Sequence, residues 1–222
     1  MSFDEFIEFV TKSETRYEWH GGEIFEMSGA SVEHARICAN VIIEIGSSLR
    51  DKPCQAFSSS LMVKVEADDV SDDRLFFPDI TVVCGPVEYA AGQQKKMTLI
   101  NPTLIIEVLS PSTSGYDRGD KFHSYRKLPS LKQYVLIEQS QALVEVRTRQ
   151  ENLPGTKSGT AQNWLLQFIT GTDASTDAST DTGTDNVLAL ESIGVSLPVS
   201  RIYAGVEFPV VVEPMTDSES RG

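Results

Sequence analysis

The sequence lacks any apolar run long enough to cross a membrane. A membrane-spanning helix needs roughly 18 or more consecutive apolar residues, and no stretch of the 222 residues approaches this length. The opening residues, MSFDEFIEFV, carry acidic side chains where a secretory signal has positive charge. We therefore expect a cytoplasmic protein without a membrane partner.

Cysteine is also scarce. The three cysteines, Cys38, Cys54 and Cys84, are widely separated along the chain and show none of the close spacings that are typical of a metal site. The sequence therefore predicts buried thiols in a reducing compartment.

Positive charge is the third shortage. The chain has 19 lysine and arginine residues against 32 aspartate and glutamate residues, which gives a formal net charge of −13. Because binding to nucleic-acid phosphates depends on lysine and arginine, this balance argues against a general nucleic-acid coat. A local basic site is still compatible with it.

What is present fits one sizeable domain. We predict a single domain over residues 1–212, since 222 residues are enough to bury a core. Residues 171–186 hold a repeat of Thr, Asp, Ala and Ser with almost no apolar content, which predicts a disordered insertion. The last residues, 213–222, should form a flexible tail.

Local patterns predict a mixed α/β or α+β fold with a central mixed β-sheet flanked by helices. Ser2 with Glu5 forms a capping box for a first helix. Gly21-Gly22 predicts a hairpin turn, and Ser31 is the expected N-cap of a long amphipathic helix. The runs TLIIEVL and QYVLIE are separated by a helix, DKFHSYRKL, so these two strands should be parallel.

Two acidic residues stand against strongly apolar strands. Asp79 follows Pro78 at the start of one strand, and Glu107 lies inside the most hydrophobic strand of the chain. Ionised carboxylates are rarely buried unless they are paired or bind a metal. If the strands are neighbours, both carboxylates can hold one Mg²⁺ ion. For Asp79 alone, an ordinary carboxylate at a turn or strand edge is the alternative.

These residues belong to a longer ordered set. Pro78-Asp79 is followed by EVLSPST from Glu107 and then by Asp117, Lys121 and Tyr125. This set resembles the Uma-type endonuclease family of the PD-(D/E)XK superfamily. The resemblance implies a restriction-endonuclease-like core and a metal-dependent endonuclease that hydrolyses the phosphodiester bonds of DNA with Mg²⁺ or Mn²⁺. It leaves open whether the chain forms a homodimer.

The resemblance also implies roles for individual residues. Asp79 and Glu107 match the two metal-binding acids, and the backbone carbonyl of Val108 would be a further ligand. Leu109 occupies the position where the superfamily normally has its catalytic lysine. The family supplies that lysine from the following helix, and Lys121 matches this place.

Four further residues are candidates for lining the site. Asp117 and Tyr125 share one helix face with Lys121, because the three are spaced four residues apart; Asp117 is otherwise a helix cap. Glu23 matches a family acid, with an ordinary strand carboxylate as the alternative. His34 lies near the apolar stripe of the long helix, where a buried core histidine is equally expected.

Two alternative functions use the same residues. One is a non-catalytic DNA-interaction module of the same fold, and the other is a hydrolase of small phosphate esters, which suits the acidic charge better. A nuclease should show a basic groove, whereas an ester hydrolase should show a closed pocket. The cations expected to line the groove are Lys64, Arg118, Arg126 and Lys127.

Overall fold

The computed structural model describes residues 1–27, 29–67, 69, 72–91, 97–150, 163–171 and 186–209. Its helices are α1 (Phe3–Val10), α2 (Val32–Ser48), α3 (Ser114–Tyr116), α4 (Phe122–Tyr125) and α5 (Val199–Ile202). A π-helical turn, Asp117–Lys121, joins α3 to α4, and a 3₁₀ turn lies at Glu191–Ile193. The strands are β1 (Tyr17–His20), β2 (Glu23–Glu26), β3 (Cys54–Ser58), β4 (Met62–Val65), β5 (Arg74–Phe76), β6 (Ile80–Cys84), β7 (Thr98–Leu99), β8 (Leu104–Leu109), β9 (Gln133–Glu138), β10 (Leu143–Gln150), β11 (Asn163–Thr170), β12 (Val187–Leu190) and β13 (Val195–Pro198).

The strands form two large mixed sheets and one small hairpin. The six-stranded sheet has the order β11-β10-β9-β8-β6-β3, and the five-stranded sheet has the order β2-β1-β5-β4-β7. Strands β8 and β9 are parallel, as the helix between them predicts, while β6 pairs with β8 in antiparallel fashion. The predicted fold class is confirmed, although the strands are divided between two large sheets.

The local signals act as the sequence predicts. Ser2 and Glu5 form a reciprocal capping box at α1, and the Ser31 hydroxyl accepts from the His34 N–H at the start of α2. Gly21 and Gly22 both have positive φ, 53° and 113°, in the tight turn between β1 and β2. Glycine adopts these angles without the steric cost that a β-carbon brings.

Strand β8 is buried on both of its faces. On one face, Leu104, Ile106 and Val108 belong to the core that α2 covers. On the other, Ile105 and Leu109 pack in the core that contains Tyr125. Because side chains alternate along a strand, Glu107 takes its place on this second face, between two apolar positions.

The helix predicted over residues 120–128 begins earlier, at Ser114, and its middle turn is π-helical, at Asp117–Lys121. Single π turns inside helices occur often at functional sites. This turn carries both Asp117 and Lys121, and both residues are buried.

The prediction of three reduced thiols is wrong for two of them. Cys54 and Cys84 lie directly opposite each other on β3 and β6 and form a disulfide. No local pattern indicates this pairing, since the two residues are 30 positions apart and become neighbours through the sheet register alone. Cys38 is the free cysteine.

Within the described part of the chain, no helix is long and apolar enough to cross a membrane. The interior of the predicted insertion, residues 172–185, and the predicted tail, residues 213–222, lie outside the described residues. The residues that border the insertion are described: the Gly171 N–H donates to the Ala142 carbonyl, and the Asn186 side chain donates to the Thr170 carbonyl.

Candidate active site

Asp79 and Glu107 meet at one end of the six-stranded sheet. The register of β6 and β8 pairs Ile80 with Ile106, which places the two acids side by side one step further on. The Asp79 N–H donates to Glu107 Oε2 at 3.3 Å, and the Val108 N–H donates to Asp79 Oδ2 at 2.8 Å. The two carboxyl groups that sequence reasoning singled out are therefore brought together.

Lys121 reaches the same place from the π turn. Its Nζ lies 3.1 Å from Glu107 Oε1, 3.1 Å from Glu18 Oε1 and 3.4 Å from Asp117 Oδ1. The residue is only 5% exposed, so it does not lie on a solvated helix face. Burial alone lowers the pKa of Lys121, but the charges of Glu107, Glu18 and Asp117 raise it well above its ordinary value. Lys121 is therefore a buried ammonium ion.

Glu107 is the most buried acid of the cluster, at 3% exposure. The hydroxyl of Tyr125, itself fully buried, donates to Glu107 Oε1 at 3.1 Å. Burial raises the pKa of Glu107 to about 8, Asp79 adds to the rise, and Lys121 offsets part of it. Burial and the neighbouring acids thus favour the neutral form of Glu107, whereas Lys121 and the Tyr125 hydroxyl favour its carboxylate.

The cluster has more negative than positive groups among the described residues. Three carboxyl groups, those of Glu18, Glu107 and Asp117, lie around the ammonium of Lys121, and Asp79 lies beside Glu107. Burial also raises the pKa of Asp117, and the buried Glu18 Oε1 has its ion pair with Lys121 but no hydrogen bond. Carboxylate oxygens that lack compensating charge are the ligands that hard divalent cations prefer. The residues present fit such an ion, with Asp79 and Glu107 as the acids that would hold it.

His34 and Cys38 border the cluster from helix α2. His34 Nε2 lies 3.1 Å from Asp79 Oδ2, and Cys38 Sγ lies 3.7 Å from His34 Nδ1. Burial tends to lower the pKa of His34, but the hydrogen bond and charge of Asp79 outweigh it and raise that pKa. Burial raises the pKa of the Cys38 thiol, and the nearby Asp79 and Glu107 add to this effect. Of the two alternatives for His34, the structure favours a residue that lines the site.

Glu18 belongs to this cluster, and sequence reasoning missed it. It lies on β1 with its side chain on Lys121, while the Tyr116 hydroxyl donates to Glu18 Oε2 at 3.4 Å and shares a hydrogen bond of 3.0 Å with His20 Nε2. The available signal was the alternation of Glu18 and His20 along β1, which puts both polar side chains on one face of a strand.

Glu23, the hairpin acid that the sequence suggested, does not join the cluster. It lies on β2, where every residue is exposed, and it makes no ion pair with the cluster among the described residues. Strand β2 is the outermost strand of its sheet. Of these two acids of the hairpin, Glu18 on the inner strand is therefore the one that lies in the cluster.

Leu109 and Val108 follow Glu107 on β8, and Leu109 is the position where the sequence analysis noted the absence of a lysine. Leu109 is 1% exposed and packs in the same core as Tyr125, so its position serves packing. The Val108 N–H is bound to Asp79, whereas the role of its carbonyl as a metal ligand stays a prediction. Lys121 brings its ammonium to Glu107 from the next element of the chain.

Comparison with known proteins gives three kinds of match. Residues 3–172 match the Uma2 family, which is described as "Putative restriction endonuclease". Two uncharacterized proteins of Synechocystis sp. are similar: one is 29% identical over 94% of both chains, and the other is 30% identical over 61% of this chain and 73% of its own length. The fold is similar to the crystal structure of "a putative nuclease belonging to DUF820" from Anabaena variabilis, with a TM-score of 0.64, 18% identity, and coverage of 91% of this chain and 97% of that one.

Proposed function

The chain belongs to the Uma2 family, and on that premise we propose that it is a metal-dependent DNA endonuclease that hydrolyses phosphodiester bonds. The observation that supports this most is the contact of Lys121 Nζ with Glu107 Oε1 at 3.1 Å, beside Asp79. With this contact, Asp79, Glu107 and Lys121 would form the set of two acids and one lysine that the superfamily uses. Leu109 stands at the usual position of that lysine.

In this proposal Asp79 and Glu107 hold Mg²⁺ or Mn²⁺, and the Val108 carbonyl completes the protein ligands. When bound, such an ion supplies Lewis-acid activation of water and neutralises charge on the phosphate. Tyr125 and the backbone N–H groups of Asp79 and Val108 orient the two carboxylates by direct hydrogen bonds. Groups that hold metal ligands in place in this way strongly affect metal affinity and activity.

Lys121 would carry positive charge to the scissile phosphate. Its ammonium is fixed by Glu18, Glu107 and Asp117 before any substrate arrives. Preorganised charge of this kind stabilises a transition state without the cost of reorienting solvent. The lysine can also orient the attacking water through one of its three N–H donors.

Two of the cations expected to line a DNA groove are paired within the protein. Lys64 lies 2.9 Å from Glu66 Oε1, and Arg118 contacts both Glu138 and Glu145. These pairs offset part of the positive charge of Lys64 and Arg118, and the basic groove stays a prediction. With fewer free cations, binding should involve few phosphate contacts and should depend only moderately on salt concentration.

A cleavage assay tests the proposal. The purified chain is incubated with supercoiled plasmid and with single-stranded DNA, in Mg²⁺, in Mn²⁺ and in excess EDTA, with Asp79→Asn as the matched control. We expect nicked or linear products with metal and none with EDTA or with the variant. DNA that is bound but never cut would support the interaction module instead. Release of phosphate from p-nitrophenyl phosphate without DNA cleavage would support the ester hydrolase.

Glu18→Gln should slow cleavage by roughly ten- to a hundredfold, the range typical of groups that position a metal-site residue. The reason is that a neutral amide would no longer attract the Lys121 ammonium, which Glu18 Oε1 contacts at 3.1 Å. Glu23→Gln is the control, because it removes the same charge from the exposed strand of the same hairpin. The initial cleavage rates and melting temperatures of both variants are measured. Equal rates for the two variants would contradict a role of Glu18 in the site.

A further inference from the structure

A second group of metal-binding side chains overlaps the carboxylate cluster at Asp79. His34, Cys38 and Asp79 each offer one ligand atom, and these atoms lie within 4.8 Å of one another. His34 and Cys38 stand one turn apart on α2, a spacing that lets two side chains on one helix face bind the same ion. All three residues are partly exposed, and Cys38 packs only at the edge of the core.

The three donors differ in kind from those of the carboxylate cluster. A thiolate and an imidazole select softer transition metals such as Zn²⁺, whereas Mg²⁺ prefers oxygen ligands. Zinc sites with three protein ligands and one open position for water are common. We propose that His34, Cys38 and Asp79 bind Zn²⁺ at a site that shares Asp79 with the Mg²⁺ site, so that zinc and magnesium compete.

The three ligand atoms lie within 4.8 Å of one another, so movements of the side chains are needed to bring them to one ion. Two ligands of a tetrahedral zinc ion lie about 3.3–3.6 Å apart, given zinc–ligand bonds of about 2.0–2.3 Å. Cys38 Sγ and His34 Nδ1 are 3.7 Å apart, and His34 Nε2 and Asp79 Oδ2 are 3.1 Å apart. One ion takes one imidazole nitrogen, so the His34 ring turns to place that nitrogen between the thiol and the carboxylate. Cys38 gives up its S–H proton to the buffer as the sulfur–zinc bond forms, so binding strengthens with rising pH.

Sharing Asp79 has a functional consequence, which rests on the proposed endonuclease activity. An Asp79 carboxylate held by zinc, on the α2 side, is drawn away from Glu107. Zinc would then inhibit cleavage that depends on Mg²⁺. As a zinc ligand, Cys38 would lower the zinc concentration at which this inhibition occurs. The site therefore makes the enzyme sensitive to the cell's free zinc.

Cobalt spectroscopy tests the site without any activity measurement. Co²⁺ is added to the full chain with its Cys54–Cys84 disulfide intact, so that Cys38 is the free thiol. We expect a thiolate-to-cobalt charge-transfer band and the visible bands of tetrahedral Co²⁺, both displaced by Zn²⁺. Both should persist in the double variant Cys54→Ser, Cys84→Ser and vanish in Cys38→Ser. A spectrum without a thiolate band, or one that Cys38→Ser leaves unchanged, overturns the proposal.

Zinc affinity and inhibition form the second arm. Loss of a direct ligand in Cys38→Ser should weaken Zn²⁺ binding, measured by competition with a chromophoric chelator, by about a hundredfold, the upper end of what outer-shell partners cost. Cys38→Ser should also cleave DNA at the parent rate in Mg²⁺ and tolerate zinc that inhibits the parent. Equal inhibition of parent and variant would mean that zinc binds Asp79 and Glu107 alone, against the proposal. If the parent cuts no DNA with any metal, the endonuclease function fails while the cobalt spectrum still decides the zinc site.

Discussion

Glu107→Gln is expected to reduce DNA cleavage to the EDTA background while raising the melting temperature of the metal-free protein. The lost activity follows from removing one of the two carboxylates that would hold the metal. The gained stability follows because Glu107 is buried, because the charges of Asp79, Asp117 and Glu18 act against its ionised form, and because Lys121 offsets only part of this cost. Gln keeps the shape of the side chain and can still accept from Tyr125. Active sites commonly trade stability for function in this way.

The stability difference should depend on pH in a defined direction. Glu107 has a pKa raised from 4.5 to about 8 in the folded protein, so the unfolded chain loses this proton first. Stability of the metal-free parent therefore falls as pH rises from about 4.5 to about 8. Gln does not titrate, so Glu107→Gln should lack this loss, and its advantage in melting temperature should grow from pH 5 to pH 8.

Thermal unfolding in EDTA across this pH range is the measurement, with a Mg²⁺ titration at pH 8 beside it. Mg²⁺ should raise the melting temperature of the parent and leave that of Glu107→Gln nearly unchanged, because stabilisation by a ligand requires its binding site. Glu23→Gln is again the charge-matched control, since Glu23 is exposed on β2. A Glu107→Gln protein that is less stable than the parent at pH 8 in EDTA would show that Glu107 stabilises the fold as a buried ion-pair partner.

The sequence predicted the elements that depend on local patterns. The capping box at Ser2, the turn at Gly21-Gly22 and the parallel pairing of β8 with β9 all follow from residues close together in the chain. The closeness of Asp79 and Glu107 was expected on the condition that their strands are neighbours, and the pairing of β6 with β8 meets that condition.

The contacts that could not be predicted from the sequence depend on how distant segments of the chain align with one another. Glu18 reaches Lys121 because β1 lies beside β5 in the second sheet, and the local alternation of Glu18 with His20 does not show what that strand face contacts. The Cys54–Cys84 disulfide likewise arises from the alignment of β3 with β6. The burial of Lys121 has a related cause: a lysine on an amphipathic helix is usually solvated, and here three acids from different elements surround it.

Lys121→Ala is expected to slow cleavage by about a hundredfold or more, the usual cost of losing one electrostatic stabiliser of a transition state. Because Lys121 is 5% exposed and contacts Glu18, Glu107 and Asp117, the variant should also be less stable. Removing one partner from a buried ion pair costs about 3–5 kcal/mol. The loss of stability should be smaller at low pH and in Mg²⁺, because protons or the metal ion then balance the charge of the remaining acids. Activity must therefore be compared at a temperature where circular dichroism shows both proteins folded.

Two further measurements separate a catalytic role of Lys121 from a structural one. Lys132→Ala removes an exposed lysine that lies outside the expected groove, just before β9, and should leave both rate and stability unchanged. Methylammonium or ethylammonium, added to Lys121→Ala, should enter the space left by the side chain and restore part of the rate, because the missing group is a positively charged N–H donor. A folded Lys121→Ala protein that cuts DNA as fast as the parent would falsify the assignment. Full recovery of the rate when the Mg²⁺ concentration is raised would instead make Lys121 a residue that only neutralises Glu107 and its neighbours.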